Sequence, residues 1–285
     1  MRSPVLGAVY IHPVKSLAAH AAGQAVVEPW GLAGDRRWML IDGESRVVTQ
    51  RQQPRMATLS AEPLPGGGVV LSAPGCPALT VRVPPPDRTV TAGLHRSQVE
   101  VVPAAPEADA WLAARLGAEV RLVHLDAPSH RRPVDPQFGR PGETVSLADG
   151  FPLLLTASGS LDALNSLVAQ GEHPQEGPLP MSRFRPNVVV EGTEAWAEDG
   201  WRRIAIGEVV LRVVKPCGRC VIATTDQRTA ERGREPLRTL ALHRREGKEL
   251  LFGQNVIPES TGTIRVGDPV RVLDRGPDRA PAGTR

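Results

Sequence analysis

The stretch Arg203-Ile-Ala-Ile-Gly-Glu-Val-Val-Leu-Arg-Val-Val-Lys-Pro-Cys-Gly-Arg-Cys-Val-Ile-Ala-Thr-Thr225 says most about how this chain folds. Val209 to Val213 alternates side to side, the period of a half-buried strand. Gly207-Glu208 reads as a hairpin turn between Ile204–Ile206 and Val209–Val214. Lys215-Pro216 ends that strand and Val221–Thr225 is a second β-type run, so Cys217 and Cys220 are expected in a tight β-to-β turn.

Outward from the hairpin, similar short apolar runs recur at Val5–Ile11, Arg37–Ile41, Val69–Ser72, Leu79–Val83, Val99–Val102, Val120–Leu125, Val188–Glu191 and Val270–Leu273. Gly and Pro, 28 of each, fall between the runs, the pattern of short strands joined by turns. Three helices interrupt them. Pro106 to Gly117 has proline at its start and glycine at its end. Ser160–Ala169 stacks Leu161, Leu164, Leu167 and Val168 on one stripe, with Ser158 or Ser160 available as N-cap. Pro236–Arg244 is the third. The helices do not alternate regularly with the strands, which excludes a doubly wound fold and leaves an α+β, mainly β chain.

At 285 residues there is room for two domains or one large β domain. Lys and Arg total 34 against 31 Asp and Glu, and a surplus of three cannot build a continuous positive surface for nucleic acid or anionic lipid. Only ten residues are Phe, Trp or Tyr, too few to interleave as base-stacking platforms. No run approaches the ~18 apolar residues of a membrane helix, and no cleavage site follows Val5–Ile11, so neither a membrane nor a signal peptide is expected. Three cysteines are too few for a disulfide framework and suggest a reducing compartment, here the cytoplasm. The scarcity of lysine, confined to Lys15, Lys215 and Lys248, suggests a GC-rich bacterial source. Ser129–Glu143, rich in Pro, Arg and Gly, reads as a connecting or binding loop. Gly171 to Pro180 reads as an excursion, and Asp274–Arg285 as a disordered tail.

The Cys-x-x-Cys admits four readings. A dithiol oxidoreductase needs a helix after its first thiol, and the residues that follow are a β-type run. A structural zinc needs four ligands, and the other candidates are Cys76 and seven scattered histidines. Both thiols could simply be small buried hydrophobes. The fourth reading is one thiolate ligand to a soft metal whose remaining ligands come from a cofactor, with Arg219 beside it lowering the thiol pKa. Lys15, Arg36, Arg185 and Arg219, near strand ends or turns, favour that reading because a phosphate-bearing cofactor also needs cations. Arg185 is held extended by Pro186, and Asn187 offers an amide that can donate and accept.

Several segments in order resemble one family. Ile11-His12-Pro13-Val14-Lys15-Ser16, Gly34-Asp35-Arg36-Arg37-Trp38 and Thr49-Gln50-Arg51-Gln52-Gln53-Pro54-Arg55 resemble the amino-terminal β-barrel module of MOSC proteins. Phe184-Arg185-Pro186-Asn187, Trp196-Ala197-Glu198-Asp199, Cys217-Gly218-Arg219-Cys220, Leu251–Asn255 and Gly262–Val270 resemble the MOSC domain itself. The resemblance runs from about residue 5 to 273 and is nearest in kind to the mitochondrial amidoxime reducing component and its bacterial counterparts. It implies two β-barrel-like modules, 1–128 and 144–273, joined by the loop 129–143 and followed by the tail 274–285.

The same resemblance implies a molybdenum cofactor, molybdenum bound to molybdopterin, with Cys220 as the thiolate ligand and Cys217 structural. It implies that Lys15, Ser16, Arg36, Arg185, Asn187, Gly218 and Arg219 bind the cofactor, and that Asp149 is a catalytic acid residue beside the metal. The implied activity is reduction of small N-oxygenated, N-hydroxylated compounds by oxygen-atom transfer to a Cys-ligated molybdenum. Position 218 is glycine where relatives can carry serine, leaving only its backbone N–H. No ferredoxin-type cysteine set follows residue 273, so electrons are expected from a separate donor of flavoprotein, ferredoxin or cytochrome type. The rival function is a non-redox carrier of the cofactor or of sulfur on Cys220.

Overall fold

The structure is a computed structural model that describes residues 3–276 apart from Arg96. The expected hairpin is present. Trp201–Ile206 pairs antiparallel with Val209–Gly218, Ile206 opposite Val209, and Gly207 turns the chain at φ 55°, a left-handed value free of steric cost for glycine. The hairpin sits in a curled sheet that runs His20–Ala22, Val5–Ile11, Val188–Glu191, Leu153–Ala157, Glu249–Pro258, Val209–Gly218, Trp201–Ile206, Val270–Arg275. Leu153–Ala157 and Val188–Glu191 are parallel neighbours. A tight turn cannot join such a pair, and the helix Ser158–Ala169 begins the crossover. Alternate side chains of this sheet, among them Leu6, Leu155, Val190, Ile204, Leu211 and Val256, form one fully buried core.

The middle of the first half builds its own layers. Val90–Leu94, Ser97–Pro103, Arg121–His124, Trp38–Ile41 and Val47–Val48 make a five-stranded sheet, and Ser60–Pro63, Val69–Ser72 and Leu79–Val81 a smaller one. The helix Pro106–Leu116 buries Ala108, Leu112 and Leu116 against Trp38, Leu40 and Leu122. Gly117 stops it in the left-handed conformation, its N–H donating to the Ala113 carbonyl. The two halves share strands: Val5–Ile11 pairs with Val188–Glu191, and Gln24–Glu28 with Gly262–Arg265. Leu6, Val9, Ile11, Ala25, Val27 and Leu32 therefore belong to the core of residues 153–270. Among the described residues no helix is long and apolar enough to cross a membrane.

Three local expectations fail for physical reasons. Val221–Thr224 is a 3-10 helix, not a strand. The Ala223 N–H donates to the Cys220 carbonyl and the Thr224 hydroxyl to the Val221 carbonyl, so local bonds take the groups a ladder would have used. Neither Ser158 nor Ser160 caps the helix Ser158–Ala169, whose N-cap is Ala157. The Ser160 hydroxyl is used by tertiary contacts instead, donating to Glu198 and accepting from the Trp196 N–H, both at 2.8 Å. Asp274 and Arg275, expected in the tail, complete the strand Val270–Arg275; the rest of that expectation, from residue 277 on, lies outside the described residues.

Candidate functional site

Irregularity in the central sheet aims the Cys-x-x-Cys. The register between Val209–Gly218 and Glu249–Pro258 shifts between Val213 and Lys215 and again between Pro216 and Gly218. Pro216 cannot donate to the ladder, and bulges of this kind re-aim a strand end. Beyond the second shift lies a cavity of about 170 Å³. Its lining includes Cys220, Asp149, Lys15, Ser16, Arg36, Arg185, Asn187, Gly218 and Arg219, all nine of the residues expected from the sequence. They converge from strand ends and turns: Lys15 and Ser16 follow Val5–Ile11, Arg36 precedes Trp38–Ile41, Asp149 precedes Leu153–Ala157, and Arg185 and Asn187 precede or flank Val188–Glu191. A Cβ on Gly218 would meet only the flexible carboxylate of Glu249, so packing against backbone does not demand glycine there.

One wall is a dense hydrogen-bond hub. Arg36 Nη1 donates to Asp35 (2.6 Å) and to Asn187 Oδ1 (2.9 Å), and Nη2 donates to the Arg185 carbonyl (3.2 Å). Asn187, 1% exposed, also accepts from the Leu154 N–H and donates to the Tyr10 carbonyl. The His12 N–H donates to Asp35, and its ring shares a bond with the Pro186 carbonyl. Burial, then the Arg36 and Arg185 charges, hold His12 well below the ordinary histidine value, so it sits here neutral.

The opposite character prevails next to it. Arg185 Nη2 and Arg219 Nε are buried donors with no partner among the described residues. An unpaired buried N–H costs about 1–3 kcal/mol. Burial, then repulsion from Arg36, pulls the Arg185 guanidinium down to about 9, the mark of positive charge without enough counter-charge. Ser16 (φ 70°), Arg36 (φ 47°) and Arg185 (φ 53°) are all left-handed, a conformation that non-glycine residues adopt at an energetic cost.

Asp149 is the carboxylate of the cavity lining, and five cations line it too: Lys15, Arg36, Arg51, Arg185 and Arg219. Lys15 pairs with Asp149 and donates to the Leu147 carbonyl at 2.9 Å. Burial pulls its ammonium down to about 8 even though Asp149 draws it up. Burial would raise Asp149, but Lys15 and then His95 hold it well below the usual carboxylate range, so it is ionised at neutral pH. It is thus an acceptor that orients Lys15, and a poor proton donor. Arg132, in the segment read as a connecting loop, braces Asp149 from behind by donating to the carbonyls of Ser146, Ala148 and Asp149.

The two thiols have different cations. Arg219 Nη1 lies 3.0 Å from Cys217 Sγ, while its Nη2 donates to the Phe184 carbonyl. Arg219 was expected beside Cys220; that place is taken by Arg51, whose Nη2 lies 3.6 Å from Cys220 Sγ and 3.4 Å from Asp149 Oδ2. Chain direction explains the exchange: the extended backbone through Cys220 turns successive side chains to opposite sides. Arg51, His95, whose Nε2 is 3.1 Å from Asp149, and Arg132 were not singled out from the sequence. Arg51 alone carried a signal, its place in the Thr49–Arg55 segment. Among the described residues no three His, Cys, Asp or Glu gather as a metal-ligand cluster.

Comparison with known proteins adds a family. Residues 142–271 match the MOSC domain, and residues 3–119 the MOSC N-terminal beta barrel domain. The chain is 33% identical to mitochondrial amidoxime-reducing component 1 of Homo sapiens over 93% of this chain and 82% of that one. It is 32% identical to the Xenopus laevis protein of the same name, over 95% and 83%. Similarity extends to the molybdenum cofactor sulfurase of Danio rerio, 30% identical over 82% of this chain and 30% of that protein. With both domains matched in order and the amidoxime-reducing components aligned over most of their length, the chain belongs to the MOSC family, beside those components.

Proposed function

We propose that the protein is a molybdenum cofactor-dependent oxidoreductase that removes the oxygen of N-hydroxylated compounds. The observation that carries this reading is the cavity lining, five cations against one carboxylate with a cysteine thiol beside them. That donor set fits the group: phosphate calls for charge-assisted N–H donors, a soft metal calls for thiolate, and Arg185 Nη2 and Arg219 Nε are buried donors still lacking an acceptor. Cys220 supplies the thiolate ligand. Arg185, Arg219 and Lys15 grip the anionic end, with Ser16 and Gly218 beside them, while Arg36 and Asn187 keep those residues in place. Bound there, the cofactor supplies two-electron redox chemistry that the side chains lack. Asp149 keeps Lys15 charged and oriented, and Lys15 holds a proton that the reduction can use. Electrons come from a separate donor protein of flavoprotein, ferredoxin or cytochrome type, and the assembly works in the cytoplasm.

The test uses protein made in a host that assembles molybdopterin. Elemental analysis is expected to find molybdenum, and a low-potential dye donor to support reduction of a hydroxylamine or amidoxime. Cys220→Ala is expected to lose turnover entirely. Cys217→Ala, which removes the partner of Arg219 Nη1, retains a large share. Equal loss in both variants indicates dithiol chemistry, and folded protein without molybdenum overturns the reading. The similarity to a relative named molybdenum cofactor sulfurase favours one other reading, a non-redox carrier of cofactor or sulfur. Molybdenum-replete protein with no turnover supports that carrier.

A further inference from the structure

The cavity's cations divide by whether their donors are taken and whether solvent reaches them. Lys15 is buried, with two of its three N–H donors on Asp149 and the Leu147 carbonyl. Arg36 is committed to Asp35, Asn187 and the Arg185 carbonyl. Arg185 and Arg219 keep spare donors, but those nitrogens are buried, suited to a resident group that never leaves. Arg51 combines spare donors with access. Its side chain is 32% exposed. Its contacts to Cys220 Sγ and Asp149 Oδ2, 3.6 and 3.4 Å, both come from Nη2. The Asp149 contact exceeds the roughly 2.7–2.9 Å of a charge-assisted N–H···O bond, while the Cys220 contact is an ordinary length for sulfur. No bond from its Nε or Nη1 joins the described residues.

The backbone behind that head group is firmly held. The Arg51 N–H donates to Thr49 Oγ1 at 3.1 Å, and Thr49 bonds Gln52 through both its N–H and its hydroxyl. Arg232 Nη2 donates to the Gln50 and Arg51 carbonyls at 2.5 and 2.9 Å. Gln50 and Gln227 bond each other reciprocally at 3.1 Å, and Gln50 also donates to the Ser16 carbonyl. So many bonds fixing a residue whose Nε and Nη1 are left uncommitted is the arrangement of a donor awaiting an exchangeable ligand.

Resting on the reductase reading above, we infer that Arg51 is a catalytic residue whose guanidinium donates hydrogen bonds to the substrate's N–O oxygen as that bond breaks. The step balances as R–NH–OH plus two electrons plus two protons giving R–NH2 plus water. The N–O bond breaks, nitrogen is reduced, oxygen leaves in water, and the two electrons come from the separate donor protein. Negative charge grows on the oxygen as the bond lengthens, so a fixed cation there matters more to the transition state than to binding.

Arg51→Ala and Arg51→Lys, prepared as molybdenum-loaded protein beside the wild type, test this. Three quantities are read: molybdenum content, binding of an aryl amidoxime to oxidised, donor-free protein by calorimetry, and kcat and KM with a dye donor. Arg51→Ala is expected to keep its molybdenum and bind the amidoxime only a few-fold more weakly, while kcat falls about 100-fold. Arg51→Lys recovers part of the rate, and guanidinium ion added to Arg51→Ala restores about tenfold of it. A kcat within about twofold of wild type overturns the inference. So does molybdenum lost in step with activity and not rescued by guanidinium, which makes Arg51 a structural residue. A loaded wild type that reduces no N-hydroxylated substrate refutes the reductase reading itself and takes this inference with it.

Discussion

The hub around Arg36 and Asn187 and the neighbouring pair Arg185 and Arg219 line the same cavity but use their hydrogen bonds in opposite ways. In the hub, Asn187 joins the first strand through Tyr10, the strand Leu153–Ala157 through Leu154, and Arg36 from the turn before Trp38–Ile41. Two residues earlier in the chain, Arg185 keeps one buried nitrogen without a partner. The contrast separates residues that hold the site from residues that hold something in it. A polar cluster whose bonds are nearly all satisfied internally, as here except at His12 Nδ1, rigidifies a fold, whereas an unsatisfied buried cation destabilises the empty fold and rewards an anion.

The contrast breaks most sharply on paired variants. Asn187→Ala leaves the Leu154 N–H, the Tyr10 carbonyl and one Arg36 bond unanswered, and is expected to destabilise cofactor-free protein by about 2–3 kcal/mol. Arg185→Ala removes the orphan along with the charge, and is expected to leave cofactor-free stability level or raised while bound molybdenum falls. Thermal melts together with elemental analysis check both. Similar melting losses in the two variants would erase the distinction.

A pH series sharpens it. Lys15 has a folded value of about 8 against an ordinary 10.5, so between those values the unfolded chain binds a proton that the folded chain lacks. Cofactor-free protein is therefore expected to gain stability as pH rises from about 8 toward 10.5, by up to about 3 kcal/mol from this group. Its hold on an anion runs the other way and weakens above about pH 8, where the ammonium discharges. Denaturation midpoints and inorganic phosphate affinity measured across pH 7–10 are the check, and parallel trends in the two would refute the assignment.

How much of this was legible in the sequence follows the range of the interactions. The hairpin around Gly207 and the helix between Pro106 and Gly117 depend on neighbours in the chain, and both stand where alternation and terminal residues put them. Val221–Thr225 has strand composition, but β-branched residues also fit a short 3-10 turn when a Thr hydroxyl bonds back to the main chain. Of the nine expected site residues, Ser16, Gly218 and Asp149 are named by resemblance alone, and the fold gathers all nine. Arg51 meets Cys220 across 169 positions and His95 meets Asp149 across 54. Nothing local marks Arg51 apart from Arg55, and Arg132 sits in a segment whose composition reads as a linker. The shared strands of residues 5–11 and 24–28 are equally silent in composition, because pairing partners lie more than 170 residues away.

The smallest effect concerns backbone alone. Ser16→Gly should relieve the left-handed strain at φ 70° and raise stability by up to about 1 kcal/mol, a shift that chemical denaturation can resolve. Seven non-glycine residues among those described have positive φ, and four of them, Ser16, Arg36, His95 and Arg185, line this cavity or touch Asp149. Under selection for heat tolerance alone, glycine or asparagine would spread first at Ser16, His95 and Arg185, whose side chains do not tie the hub together. The surviving lineages would melt later and work worse, so an engineer hardening this protein has most to lose where the backbone has most to gain.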